Sequence, residues 1–162
     1  MTDGLLIRNA ARADVPALFA MVRELAEYEQ LTHFCVATEA HLERELFGPE
    51  ANSEALIGIS AGEPVGFALY FHNYSTFLGR KGLYLEDLFV RPARRHRGYG
   101  RALLIAVARI AVERGCGRFE WMALDWNESA IRFYEAMGAQ QMGEWRLFRV
   151  TGDALRKMAD QP

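Results

Sequence analysis

Apolar and polar positions follow two periods along this chain, and each switch between them marks an element boundary. Leu5-Leu6-Ile7-Arg8 reads as a short strand. Asp14-Val15-Pro16 marks a helix start, because proline fits a first turn whose N–H groups have no intrahelical partner. From there Leu18, Met21, Val22, Leu25 and Tyr28 recur every three or four residues and predict an amphipathic helix to about Glu29. A second helix is predicted from Thr38, a capping side chain, through Leu42 and Leu46 to a stop at Gly48-Pro49. His41 stands where a capping box would want an acid or amide, which weakens that start. The period then shortens to two. Strands are predicted at about Ala55–Ser60 and Pro64–His72, joined at Ala61-Gly62-Glu63, and at Leu83–Val90 after a polar loop, Asn73–Gly82. Helical spacing returns over Arg101–Arg114, with Leu103, Leu104, Val107, Ile110 and Ala111 on one face and Gly115 as the stop. A strand (Arg118–Leu124), a helix (Ser129–Met137), a final strand around Trp145–Val150 and a helical tail, Asp153–Met158, complete the prediction.

The order β-α-α-β-β-β-α-β-α-β predicts a mixed α/β (α+β) fold. Its centre is an antiparallel hairpin region, and a right-handed β-α-β crossover joins the Val90 strand to the Phe119 strand. No repeat, linker or low-complexity tract interrupts residues 1–162, so a single domain is expected.

Composition narrows the function. Of 162 residues, 51% are apolar types and 25% charged, which excludes a disordered or collagen-like chain. With 19 Lys+Arg against 21 Asp+Glu the formal charge is −2, so no generally basic nucleic-acid binder is expected. There is no apolar run of about 18 residues and no basic-then-apolar leader, so neither a membrane span nor a secretory signal is expected. Two cysteines, Cys35 and Cys116, are too few for a disulfide framework or a zinc site and suggest a reducing cytoplasm. His33, His41 and His72 lack ligand spacing, so no metal is expected.

The most informative stretch is Arg91-Pro92-Ala93-Arg94-Arg95-His96-Arg97-Gly98-Tyr99-Gly100-Arg101. Arginines lead into a helix whose first turn forms around two glycines. Free N–H groups, the positive end of the helix dipole and missing Cβ atoms make a place for a phosphate or diphosphate. A solvated basic loop is the plainer alternative. A P-loop would need Gly-Lys-Ser/Thr, and Gly100 is followed by Arg101-Ala102. A dinucleotide fingerprint matches at Gly98-x-Gly100 with Glu120 downstream, but its third glycine position holds Leu103.

Arg95-x-x-Gly98-x-Gly100 after a strand resembles the acetyl-CoA signature of the GNAT N-acetyltransferases, Gln/Arg-x-x-Gly-x-Gly/Ala. Asp125-Trp126-Asn127 through Phe133-Tyr134 to Gly138-Ala139 is similar to that family's later Asn…Phe-Tyr…Gly motif. Glu24-Leu25-Ala26-Glu27-Tyr28-Glu29, Leu83-Tyr84-Leu85-Glu86-Asp87 and Trp145-Arg146-Leu147-Phe148 resemble its spermidine/spermine (diamine) acetyltransferase branch. One departure is His96, where that branch usually carries the first glycine of Arg-Gly-x-Gly-x-Gly. Another is Asn73-Tyr74-Ser75-Thr76-Phe77, where the polyamine enzymes carry Asp-Pro-Trp; diamines, lysine analogues such as thialysine and other primary amines stay open.

The resemblance implies acetyl-CoA as co-substrate, held by Leu88, Phe89 and Val90 on the strand, by Arg95, His96, Arg97, Gly98, Tyr99, Gly100 and Arg101, and by Asn127 and Tyr134. It implies direct transfer of an acetyl group to a small amine, and a homodimer. A lysine-like ammonium has a pKa near 10.4, so freeing its lone pair at pH 7 costs roughly 4.6 kcal/mol, and a positioned base lowers that barrier. Glu86 is the candidate base. It sits with Asp87 in an otherwise apolar strand, where two carboxylates are costly unless paired or facing a cleft. A strand-end salt bridge is the alternative. Strict alternation places Tyr84, Glu86 and Leu88 on one face and Asp87 on the other, unless a bulge intervenes. The family uses a main-chain N–H of this strand for the developing oxyanion, which Phe89 or Val90 would supply, and Tyr134 matches its general acid. Tyr134 could instead pack as a helix-face aromatic beside Phe133, and Asn127 could simply cap a helix. Glu29 corresponds to a substrate-binding glutamate of the diamine branch, with Asp87 a second carboxylate for a cationic acceptor; Glu24, Glu27 and Glu29 could equally form a solvated helix face. A non-catalytic acyl-CoA-binding module of the same fold would need neither Glu86 nor Tyr134.

Overall fold

Five strands pair in chain order: β1 (Leu5–Asn9), β2 (Ser53–Ser60), β3 (Glu63–Ser75), β4 (Arg80–Val90) and β5 (Phe119–Trp121). All neighbours run antiparallel except β4 and β5, which are parallel, as a crossover through a helix demands. That helix is α3 (Tyr99–Glu113); α1 (Val15–Tyr28) and α2 (Glu39–Phe47) lie between β1 and β2 in sequence. This is the expected mixed α/β fold, a mostly antiparallel sheet with helices. The computed structural model describes residues 4–162 in two compact units that divide after Met122. Among those residues no helix is long and apolar enough to cross a membrane.

One face of the sheet carries the main core, where Leu18 and Met21 of α1 and Leu46 of α2 pack on Ala55, Ile57, Phe67, Leu69 and Phe89. The opposite face receives α3 through Leu103, Leu104 and Val107, all buried. Here Gly58 and Gly66 stand directly across from each other on β2 and β3. A Cβ at Gly66 would lie 2.5 Å from the Phe89 carbonyl oxygen and 3.3 Å from the Leu103 side chain. The bare patch lets the start of α3 sit close to the sheet.

Thr38 caps α2, accepting the His41 N–H at 3.3 Å, so the capping box that His41 cannot complete is not needed. The predicted loop Asn73–Gly82 is largely strand. Asn73 pairs with Gly82, Tyr74 with Lys81 and Ser75 with Arg80, leaving only 76–79 as the turn. Its polar composition reflects a hairpin that outruns the core, not a missing ladder. β5 is shorter than the predicted Arg118–Leu124, and no strand forms around Trp145–Val150. That segment is rich in strand-favouring side chains, but a strand exists only through a ladder, and these residues have no pairing partner among the described ones; the Trp145 N–H turns back to the Met142 carbonyl. The second unit holds α4 (Glu128–Ala136) and α5 (Gly152–Ala159).

Candidate functional site

The middle of β4 departs from regular alternation. Leu85 pairs with Tyr70 and Asp87 with Leu69, so Glu86 is an extra residue facing no partner on β3, a β-bulge. Tyr84 pairs with Phe71, and their rings lie 5.2 Å apart. Phe71 and Leu69 are two residues apart on β3 and share a face, so Tyr84 and Asp87 share one too, and Leu88 moves to the other. The bulge thus reverses the face that strict alternation assigns to Asp87. It turns Asp87 to the side where α1 ends, beside Glu29, while Glu86 stands exposed.

Three carboxylates now lie within electrostatic reach. Burial first, then the charges of Glu86 and Glu29, push the Asp87 carboxyl up to about 7. Burial raises Glu29 as well. Among the described residues neither Glu86 nor Asp87 makes an ion pair, which removes the strand-end salt bridge as the reason for their presence. Glu24 is different: its carboxylate takes the Arg91 guanidinium at 2.9 Å, and the same Arg91 donates to the Pro64 carbonyl, tying α1 to the end of β4. Sequence spacing gave no sign of this pair.

The arginine and glycine stretch turns sharply into α3. His96 has φ +61° and Gly98, the residue preceding the helix, φ +78°. Glycine accepts such a conformation freely; histidine does so at a cost, though more readily than most residues. No side chain caps the first turn and no acid sits in it, so the N–H groups there have neither an intrahelical nor a capping partner. A Cβ at Gly100 would meet only Val90, at an ordinary 3.8 Å, and its φ is not positive. Neither packing nor conformation asks for glycine at 100. Its missing side chain keeps space clear beside the uncapped turn, a cradle that fits a diphosphate. Arg97, Gly98, Arg101 and Arg109 border an open groove of about 730 Å³ that continues along α3 over Ile7 and Ile105.

Arg95 faces elsewhere. Its guanidinium lies 4.2 Å from the Tyr28 ring centroid and 5.8 Å from that of Phe89, and its Nε–H donates to the Val90 carbonyl at 3.0 Å. The side chain thereby bridges the loop to the end of α1, next to Glu29. Tyr99 is buried, with its hydroxyl 3.0 Å from that of Ser60.

Pairing of β4 with β5 ends at Leu85 and Trp121, so from Glu86 to Val90 the side of β4 away from β3 pairs with no strand among the described residues. The Arg91 N–H bonds to the Val65 carbonyl on β3. Because successive N–H groups of a strand point to opposite sides, Phe89 also turns its N–H toward β3, while Leu88 and Val90 turn theirs to the open edge. In the second unit, Asn127 caps α4, its Oδ1 accepting from the Ala130 N–H at 3.3 Å and the Ser129 hydroxyl at 3.1 Å. On α4 the rings of Tyr134 and Phe133 lie 5.2 Å apart.

A sequence model of the acetyltransferase (GNAT) family matches residues 19–139. An L-ornithine N5-acetyltransferase of Arabidopsis thaliana is 38% identical, over 93% of this chain and 86% of its own. A thialysine N-epsilon-acetyltransferase of Sus scrofa is 37% identical, over 96% of this chain and 97% of its own. Among solved structures, an integron cassette protein from the mobile metagenome of V. cholerae superposes with a TM-score of 0.82, at 26% identity, over 98% of this chain and 99% of that one. The chain belongs to the acetyltransferase (GNAT) family and is an N-acetyltransferase, of a class that takes its acetyl group from acetyl-CoA.

Proposed function

We propose that the chain acetylates the side-chain amine of a small dication or diamino acid, such as ornithine, thialysine or a short diamine. The observation that carries this reading is the β4 bulge, which turns Asp87 toward Glu29 with Glu86 next to it, where burial and then the charges of both neighbours push the Asp87 carboxyl up. A carboxylate cluster of that kind is relieved by a cation, so it selects positively charged acceptors. The relatives named for ornithine and thialysine point the same way.

Acetyl-CoA supplies a thioester carbonyl, and the rest of the chemistry falls to the chain. Glu86 and Asp87 act together as the base. Glu86, exposed at the bulge, takes the ammonium proton directly or through water, and Asp87, poised near 7, shares it. A base with that pKa is matched to neutral pH. The Val90 N–H, aimed at the open edge of β4, is the donor for the acyl oxygen. The uncapped turn from Gly98 to Arg101 holds the diphosphate, with Arg97 and Arg101 adding charge. Arg95 braces the end of α1, so its side chain serves the acceptor side more than the phosphates. Tyr134 keeps the general-acid role that the family resemblance gives it, protonating the departing sulfur, and the amide N–H of Asn127 is the half of that side chain left for a ligand. A homodimer travels with the same branch resemblance, and the cytoplasm rests on the low cysteine count, with Cys35 and Cys116 as half-buried free thiols.

A panel of ornithine, thialysine, lysine, putrescine, spermidine and peptide N-termini, assayed for CoA release, tests the reading. Diamino acids and short diamines are expected to give the highest kcat/KM. A preference for neutral amines would overturn it.

A further inference from the structure

Tyr99 sits between the two glycines of the turn, yet its side chain does not face that turn's open side. It is only 3% exposed, and its hydroxyl meets that of Ser60, itself 6% exposed. Ser60 is the last residue of β2, two strands away from β4 in the sheet order. Among the described residues this is the one side-chain hydrogen bond that joins the first turn of α3 to the sheet. The turn is otherwise held by apolar packing, with Leu103 seated against the bare Gly58–Gly66 patch, a contact that lacks the directionality of a hydrogen bond.

We propose that Ser60 and Tyr99 are positioning residues for the donor: their hydroxyl pair sets where the amino end of α3 lies, and so where its free N–H groups point. The proposal rests on the reading of that turn as the diphosphate site. Donors that stabilise an anion lose most of their worth when displaced by a fraction of an ångström, so an anchor far from the phosphates can act on affinity without touching them. A buried neutral hydrogen bond contributes about 1 kcal/mol, equivalent to about fivefold in a binding constant. Both hydroxyls are buried and each is the other's partner, so deleting either removes the same constraint.

Coenzyme A binding to the purified full chain, measured by calorimetry, is the primary readout. Ser60→Ala and Tyr99→Phe are each expected to weaken binding about three- to tenfold. The double variant should be no weaker than the worse single, because both remove one interaction. Ser60→Ala should raise KM for acetyl-CoA while kcat at saturation and KM for the amine stay within about twofold. Ser60→Thr keeps a hydroxyl and should restore most of the affinity. Hydrogen exchange at the Ala102 amide, whose N–H bonds to the Gly98 carbonyl at 2.9 Å, should quicken in the deletion variants. Folded single variants that bind coenzyme A as wild type does, or losses that simply add in the double variant, would overturn the proposal. If Ser60→Ala does not fold, Tyr99→Phe and Ser60→Thr carry the same test. Gly100→Val separates the two layers. A Gly100→Val protein that still binds coenzyme A removes the diphosphate reading and the anchor with it. One that fails to bind, beside unaffected Ser60 and Tyr99 variants, removes the anchor alone.

Discussion

The amino end of α3 and the acidic side of β4 both concentrate charge, and they do it with opposite materials. At α3 the positive potential belongs to the main chain: uncapped N–H groups, a clear space beside Gly100, and arginines that add to it. Its cost is conformational, at His96 with φ +61°. At β4 the negative potential belongs to side chains, and its cost is electrostatic, an Asp87 carboxyl held near 7 by burial and by Glu86 and Glu29. The first region is therefore sensitive above all to shape. The second is sensitive to pH as well. A donor that is the same for every turnover suits the rigid material, whereas the acceptor side can change specificity by exchanging a carboxylate.

Substitutions can break that contrast from either side. The largest effect is expected from Asp87→Asn, which should lower turnover about 10²- to 10³-fold while stabilising the protein. The carboxyl ionises near 3.8 in an unfolded chain and near 7 in the folded one, so the folded state holds the extra proton between those values. Stability is then lost as pH rises through that window, by about 3–4 kcal/mol at pH 7. Thermal melts at pH 4 and pH 7.5 check this: the Tm advantage of the Asn variant over wild type should be small at pH 4 and widen at pH 7.5. Glu86→Gln is next. It should lower kcat about tenfold near pH 7, less where the amine is already neutral, and it should move the acid limb of the pH–rate profile below its midpoint near 7, because Asp87 loses a charge that raises it. An unshifted limb would separate the two carboxylates. The smallest effect is expected on the other side. His96→Gly should stabilise by about 0.5–1 kcal/mol through relief of the positive φ, with no change in the acid limb. Denaturant melts and the pH profile together decide it.

Most of the fold could be read from periodicity because α1, α2 and α3 each put a continuous apolar stripe on the sheet. The arginine and glycine stretch could be read because its residue types act through the main chain, which sequence specifies locally. The bulge could not be located, since alternation on both sides of Glu86 looks regular and only the pairing partner on β3 reveals the shift. The same limit hid the Glu24–Arg91 pair and the Ser60–Tyr99 contact, which join residues 67 and 39 positions apart. The misread segments, 73–82 and 145–150, fail for one reason seen from two sides. Strand content is decided by whether a partner is present, and neither polar nor aromatic composition reports that.

β4 has eleven residues, and its ladder with β3 consumes ten of them. Removing Glu86 would bring Leu85 and Asp87 into consecutive register with Tyr70 and Leu69. The β3–β4 ladder therefore sets no pairing requirement on the side chain at that position. A carboxylate, an amide or an imidazole can be tried there without renegotiating a single rung, and so new acceptor chemistry has an entry point in this scaffold at the one β4 residue that the ladder leaves unpaired.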